Sequence, residues 1–472
     1  MRSLYASLYE AAFYRGYERL RHRTTWRWLD LLHESERWPR ERLEAFQLAE
    51  LQHLLAYAAT ASPYYRELLA RPGLRPSEIR SLADLERIPP IDRETFRRES
   101  PRMLVPEHAG TAIWKSTGGS TGTPIRFALD RGSNDWRTAA MLRGYGWAGV
   151  REGLPTVHLW SGAVAGAKPV GRMGRLKKQA HHRLVRRLDL DIFALSEDTA
   201  PAYLEAMARF GARHLVSYGK HLYHLARMIE RRGLEVPRLE SIVLGAEKVT
   251  REEVAVIERV FGCPAFETYG CREVMLIATQ CERRGALHVT MENLVVEVLR
   301  EDGTRAAPGE VGEVVVTDLH NYAMPFIRYR TGDVARVGGP RDVCACGRAH
   351  ATLSEVEGRI VDVLRTLDGR VVPGNFFPHL MKEFDAVARY QVYQPAVRRV
   401  EVSVVLDRAL TQEEEARLRG EIERVLGPTV DVAIRQVESI PLSATGKHRV
   451  AISDVREADV ERARREGEGA LA

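Results

Sequence analysis

Between about residue 110 and residue 290 the chain alternates short β-rich runs with helical ones, and this alternation restricts its fold more than any other feature. Thr156 to Trp160, His214 to Ser217 and Ser241 to Leu244 are short and rich in apolar and β-branched residues, whereas Lys220 to Arg231 and Thr250 to Phe261 carry helical spacing. Strand, helix, strand in that order predicts βαβ units around a mostly parallel sheet. Upstream, Leu43, Phe46, Leu51, Leu54, Leu55, Tyr57 and Ala58 recur at three- and four-residue spacing, a helix that halts near Ser62-Pro63. Downstream, Leu294 to Leu299, the Glu301-Asp302-Gly303 turn and Gly312 to Thr317 read as a hairpin in a β-rich subdomain. From Val363 onward Val387 to Tyr393, Val400 to Leu406, a helix from Gln412 to Val425 and Val430 to Val437 read as a separate α+β unit.

The expected organisation is an α/β protein: a large domain over 1–357 with a helical front section over 1–110, a hinge at Gly358 to Asp362, and a small α+β domain over 363–472 with a frayed tail after Asp459. The length of 472 residues accommodates two or three domains at about 150 residues each. With 44% hydrophobic and 28% charged residues, disordered and fibrous classes are excluded. The net charge of +6 is too small to imply a nucleic-acid partner. Glu10, Arg15 and Glu18 interrupt any signal-peptide core, and no window approaches the roughly 20 apolar residues of a membrane span. A soluble, cytoplasmic protein is the expectation, with Leu4, Leu8, Ala11 and Ala12 able to line an amphipathic helix that could contact a surface. Five cysteines in a chain this long are reduced thiols or metal ligands, not a disulfide framework.

The segment Lys115-Ser116-Thr117-Gly118-Gly119-Ser120-Thr121-Gly122-Thr123-Pro124 sets glycines among hydroxyls. Glycines let backbone N–H groups approach an anion, and Ser and Thr hydroxyls can join them around phosphate oxygens. It lacks the Gly-Lys-Ser/Thr of a P-loop, and alone it reads equally as a surface loop. Further segments follow in order: Gly245-Ala246-Glu247, Glu267-Thr268-Tyr269-Gly270-Cys271-Arg272-Glu273, Tyr329-Arg330-Thr331-Gly332-Asp333, Gly358-Arg359 and Pro441-Leu442-Ser443-Ala444-Thr445-Gly446-Lys447.

Together these segments resemble the acyl-adenylate-forming (AMP-binding) superfamily, and within it the phenylacetate–coenzyme A ligase and capsule-biosynthesis-type branch, over residues 40 to 455. The resemblance implies a two-step reaction. A carboxylate attacks the α-phosphorus of ATP to give acyl-AMP and pyrophosphate, and coenzyme A then takes the acyl group. It implies that Ser116, Thr117, Gly118, Gly119, Ser120, Thr121 and Gly122 hold the triphosphate, with Gly118 where many relatives carry Ser. The Gly245, Ala246, Glu247 strip and the Tyr269 ring would form the adenine slot, Gly270 would also lie in the ATP site, Asp333 and Arg359 would bind the ribose, and Glu273 would hold Mg²⁺. Lys447 would stabilise the adenylation transition state once the small domain docks. Many relatives carry an acid two residues after the hinge arginine, where this chain has Val361 followed by Asp362.

Cys281, His288, Cys344 and Cys346 make a Cys₃His set suited to a closed, structural Zn²⁺ site such as some members of that branch carry, with His350 a rival fourth ligand. Buried free cysteines beside an exposed histidine are the competing reading. The basic run Arg172 to Arg187 fits a solvated helix face, a landing site for coenzyme A or a carrier protein, or an anionic membrane surface. Trp160 and Tyr218 are candidates for lining the acid pocket, an aryl or arylacetic acid being implied only by the resemblance. The alternatives are an adenylating enzyme that passes its acyl group to an amine, a hydroxyl or a carrier protein, and a noncatalytic nucleotide-binding protein.

Overall fold

The fold is described from a computed structural model, over residues 5–6, 9–117, 125–160, 180–300, 302–339, 344–356, 363–368, 370–374, 376–381, 383–440, 450–455 and 457–469. A two-stranded hairpin, β1 (Ile113–Ser116) with β2 (Arg126–Leu129), precedes the main sheet. The sheet's parallel half comprises β3 (Thr156–Trp160), β4 (Arg187–Asp191), β5 (His214–Tyr218), β6 (Ser241–Gly245) and β7 (Ala265–Cys271), in the order β4-β3-β5-β6-β7. Side chains alternate across it: Leu215, Ile242 and Leu244 pack under the helices Ala200–Phe210, Gly219–Arg232 and Arg251–Phe261, while Val216 and Val243 turn to the other face with Ala148, Val150 and Phe266. Burial on both faces is why these strands read as unbroken apolar runs. The helix ends are written locally. Thr250 and Glu253 form a reciprocal capping box, and the helix closes on Gly262 at φ +64°.

At β7 the sheet changes character. β8 (Met275–Gln280) pairs antiparallel with it, and β9 (Leu287–Val289), β10 (Leu294–Leu299), β11 (Val311–Asp318), β12 (Tyr329–Val337) and β13 (Thr352–Val356) continue in the order β8-β9-β13-β12-β11-β10. The expected β-rich subdomain is therefore the antiparallel half of one eleven-stranded sheet. The front helices cover that half. The predicted stop near Ser62-Pro63 separates the helices Arg40–Ala61 and Pro63–Leu69. Leu51, Leu54, Leu55, Tyr65 and Phe96 share a core with Ile277, Leu294, Val314 and Phe326. Arg137–Asp318, Arg143–Glu292 and Arg328–Glu297 are ion pairs buried inside this part of the molecule. Each is kept from being an isolated buried charge by its partner.

The hairpin β14 (Val363–Arg365) with β15 (Val371–Pro373) leads into a four-stranded sheet. Its strands are β16 (Val387–Ala396), β17 (Arg399–Leu406), β18 (Asp431–Gln436) and β19 (Ala451–Ser453), in the order β18-β17-β16-β19. The helices Phe376–Met381 and Gln412–Leu426 complete a core of their own around Tyr390, Val402, Leu418 and Ile422. The tail is a correction to the sequence reading. Residues Glu457–Gly469 form a helix, because Val460 and Ala463, one turn apart, seat it against Val397 and Val455. The proposed hinge at 358–362 lies outside the described residues. Among the described residues no helix is long and apolar enough to cross a membrane.

Candidate active site

The C-terminal ends of β3, β5, β6 and β7 deliver Trp160, Tyr218, Gly245 and Tyr269 to one edge of the sheet, where parallel α/β sheets bind their ligands. The rings of Trp160 and Tyr218 lie 4.3 Å apart, with Phe193 6.1 Å from Tyr218. Gly245 keeps this corner open. A Cβ there would stand 3.4 Å from the Trp160 ring and 3.0 Å from Thr268 Oγ1. Next in the chain, Ala246 holds a positive φ of 64°, an uncommon backbone state for a non-glycine residue. Glu247 then turns back, accepting from the Lys220 N–H at 3.0 Å and lying 3.2 Å from His221 Nδ1. Burial opposes ionisation of Glu247, but His221 and the backbone donors overcome it and hold the carboxyl below its usual range.

The turn between β7 and β8 is tightly built. A Cβ on Gly270 would lie 1.9 Å from the Met275 carbonyl oxygen, and Met275 itself takes φ +71°. Only glycine allows the two backbones this approach. The turn drives Glu273 inward, where 4% of its surface stays exposed. The Tyr329 hydroxyl donates to Glu273 Oε1 at 3.0 Å, and Arg93 Nη2 reaches the same oxygen at 3.4 Å. Beside it Tyr269 donates its hydroxyl to Asp333 Oδ2 at 3.1 Å, and the Asp333 N–H donates to Thr331 Oγ1. Burial first, then the Asp333 charge, pushes the Tyr269 phenol well up, so it stays a donor. Cys271, between the two acids, is pushed up by burial and by Glu273 and Asp333, and stays a thiol.

Thr117 connects this cluster to the glycine-rich segment. Its Oγ1 accepts from Arg93 Nη2 at 2.8 Å and from the Ile125 N–H at 3.0 Å, and its N–H donates to the Ile125 carbonyl. The Thr117 hydroxyl is thus engaged in anchoring the loop's two ends. Ser116 is half-buried and lines a cleft of about 660 Å³ with Arg97 and Arg126 on one wall and Asp385, Arg389, Glu438 and Ser439 of the small domain on the other. Gly118, Gly119, Ser120, Thr121, Gly122, Arg359 and Lys447 lie outside the described residues.

Arg93 is the site residue that the sequence reading missed. It follows Asp92, which caps its helix by accepting from the Thr95 N–H. The Ile91 backbone pairs with β12, its N–H donating to the Arg328 carbonyl and its carbonyl accepting from the Arg330 N–H. That stitch, across more than 230 residues of sequence, sets Arg93 between Thr117 and Glu273. A cap signal at Asp92 marks the helix start but says nothing of the strand it meets.

The cysteine set comes together away from this edge. One ligand atom from each of Cys281, His288, Cys344 and Cys346 lies within 4.8 Å of the others. The Arg283 N–H donates to Cys281 Sγ and the Arg348 N–H to Cys346 Sγ, each at 3.4 Å, as donors around metal thiolates do. Burial first, then His350, Arg348 and Arg143, pushes His288 down to about 4, leaving the neutral imidazole that binds metal. The residues fit a tetrahedral Zn²⁺. His288, not His350, falls in this cluster; His350 Nε2 lies 3.0 Å from Glu292 Oε1 beside the buried Arg143–Glu292 pair.

Residues 364–454 match the model of the CapK C-terminal domain. A phenylacetate-coenzyme A ligase of Thermus thermophilus is 28% identical over 448 residues, covering 88% of this chain and 97% of that one. A phenylacetate-coenzyme A ligase of Escherichia coli is 27% identical, covering 85% and 93%. Protein CapK of Staphylococcus aureus is 20% identical, covering 88% and 91%. Among solved structures, 2-hydroxyisobutyryl-CoA ligase with 2-HIB-AMP and CoA in its thioesterification state superposes with a TM-score of 0.60 at 19% identity, over 92% of this chain and 94% of that one.

Proposed function

Homologous to phenylacetate-coenzyme A ligases and to CapK, and folded as adenylate-forming ligases are, this chain is, we propose, an ATP-dependent carboxylate–coenzyme A ligase that works through acyl-AMP. The observation that carries the reading is the convergence of Tyr269, Glu273 and Asp333 in one hydrogen-bonded cluster joined through Arg93 to Thr117. In the first step a carboxylate oxygen bonds to the α-phosphorus of ATP and the bond to pyrophosphate breaks. In the second the coenzyme A sulfur bonds to the acyl carbon and AMP leaves. Both steps ask the protein chiefly for positioning and charge stabilisation.

Asp333, poised by Tyr269, accepts the ribose hydroxyls. The Tyr269 ring and the Gly245–Glu247 strip flank the adenine. Glu273, oriented by Tyr329 and Arg93, would hold Mg²⁺ through its carboxylate, and the ion would supply neutralisation of the triphosphate's charge. Lys447 neutralises charge at the α-phosphate from the small domain. Support for its reach comes from Glu438 and Ser439, just upstream in the chain, which line the same cleft as Ser116. Trp160, Tyr218 and Phe193 offer aromatic walls for an aryl or arylacetic acid. Cys281, His288, Cys344 and Cys346 would hold a structural zinc, which would tie the Cys344 to Cys346 segment to the β8–β9 region; their clustering supports this. The test is product analysis with ATP, Mg²⁺ and aryl, arylacetic and fatty acids, with and without coenzyme A. AMP and an acyl thioester are expected for at least one aryl acid. Acyl-AMP that accumulates regardless of coenzyme A would transfer the assignment to another acceptor.

A further inference from the structure

The N-terminal segment carries a ladder of aromatic rings that the proposed chemistry does not use. Tyr5, Tyr9, Phe13 and Tyr17 recur every fourth residue, with successive centroids 6.2, 5.6 and 6.5 Å apart. One side of the ladder is seated on the large domain. Tyr9 is buried, with ring and Cβ atoms 3.2–3.3 Å from where a Cβ on Gly153 would stand, and the Tyr5 hydroxyl donates to the Leu184 carbonyl at 2.8 Å. The other side faces solvent: Tyr5 is 41%, Phe13 44% and Leu20 78% exposed. Few large apolar side chains of the described residues are this exposed, and these three gather in one short segment.

Arginines crowd these rings. Arg186 lies over the Tyr5 ring at 5.5 Å, Arg21 over Tyr17 at 5.9 Å and Arg19 over Trp26 at 5.3 Å. Among the described carboxylates near the ladder, Glu152 is partly buried beside Tyr9, and three others are taken by other arginines. Glu18 is buried 3.6 Å from Arg23, Asp30 is held by Arg15 at 2.8 Å and Asp189 by Arg187 at 2.6 Å. Arg19, Arg21 and Arg186 have no carboxylate partner among the described residues, so the face presents aromatic and aliphatic tips among uncompensated cations.

We propose that this face docks the protein on an anionic phospholipid surface. Single apolar side chains projecting among aromatic rings and arginines match the headgroup boundary, where rings and aliphatic tips enter the acyl region and guanidinium groups meet lipid phosphates. A lasting protein partner would instead bury a contiguous core depleted of charge.

The test is co-sedimentation of the full chain with vesicles of phosphatidylglycerol and phosphatidylcholine, and with phosphatidylcholine alone. Binding to the anionic vesicles that weakens as salt rises, with little binding to the neutral ones, is the expected result. Replacing Phe13 and Leu20 together by Ser lowers partitioning at least tenfold. Arg19→Glu with Arg21→Glu, at exposed positions away from the Tyr9 and Tyr5 seats, lowers it by about thirtyfold or more at roughly fivefold per arginine. Ligase turnover in free solution stays at the parent level in the arginine variant. Full recovery in the supernatant with anionic vesicles at low salt overturns the proposal. So does equal binding to both vesicle types, or a dimer in free solution that Phe13→Ser with Leu20→Ser dissociates while vesicles bind neither form.

Discussion

Replacing Gly270 by Ala tests whether the β7–β8 turn exists to place Glu273. The new Cβ would meet the Met275 carbonyl oxygen at 1.9 Å, so the two strands must part by at least about 1 Å to reach a tolerable contact. Hydrogen bonds near 2.9 Å lose most of their strength at that opening, and the affected pairs are Gly270 with Leu276 and Cys271 with Met275. Losing them and straining the turn costs about 2–4 kcal/mol. Gly312→Ala is the matched control, since its Cβ would meet the Leu299 carbonyl oxygen at 2.3 Å, between β10 and β11 and away from the cluster. Both variants should therefore melt several degrees below the parent. At a temperature where both remain folded, only Gly270→Ala should lose acid-dependent AMP formation, by about a hundredfold, the scale expected when a positioning group moves by 1 Å. Turnover by Gly270→Ala within threefold of Gly312→Ala would refute the link between the turn and the chemistry.

Tyr269→Phe keeps the ring and removes the donor to Asp333, so steady-state kinetics should show KM for ATP rising about fivefold, the worth of about 1 kcal/mol, with kcat changed less. Lys447→Ala should abolish acyl-AMP formation while thioester formation from supplied acyl-AMP continues; parallel loss of both half-reactions would count against its assigned role. Metal analysis of the purified protein should find zinc near one atom per chain, and Cys344→Ser should lose it with a fall in melting temperature. Burial first, aided by Glu18 and opposed by Arg187, pushes the Glu152 carboxyl up to about 7. A carboxyl raised in the folded state favours folding while it is protonated, and that contribution fades as pH rises from about 4.5 to 7. Glu152→Gln should thus gain about 2–3 kcal/mol at pH 8 and little at pH 4, read from denaturant unfolding at the two values.

The parallel half of the sheet was legible because its signals are local. Strands buried on both faces appear as apolar runs, and helices announce themselves through Thr250 with Glu253 and through Gly262. The tail helix is hidden in the sequence because Glu457–Gly469 is strongly charged and its seat depends on only a few apolar side chains meeting Val397, far off in sequence. At the site, motif residues could be named from the sequence, whereas their partners could not. The hydroxyl of Tyr329 reaching Glu273 and the hydroxyl of Tyr269 reaching Asp333 each depend on the register of different strands. Arg93 had no sequence signal because its position is fixed by Ile91 pairing with β12. His288 and His350 are equal candidates in sequence, and only the strand pairing that sets His288 beside the cysteines and His350 beside Glu292 tells them apart.

The ligase assignment is tested most directly by mass spectrometry of the products formed from ATP, Mg²⁺, coenzyme A and an arylacetic acid by the unmodified chain and by Asp333→Ala. Stoichiometric AMP and acyl–coenzyme A are expected from the parent, with a loss of at least a hundredfold in kcat/KM for ATP in the variant. ATP bound by the parent with no AMP released across aryl, arylacetic and fatty acids would contradict it.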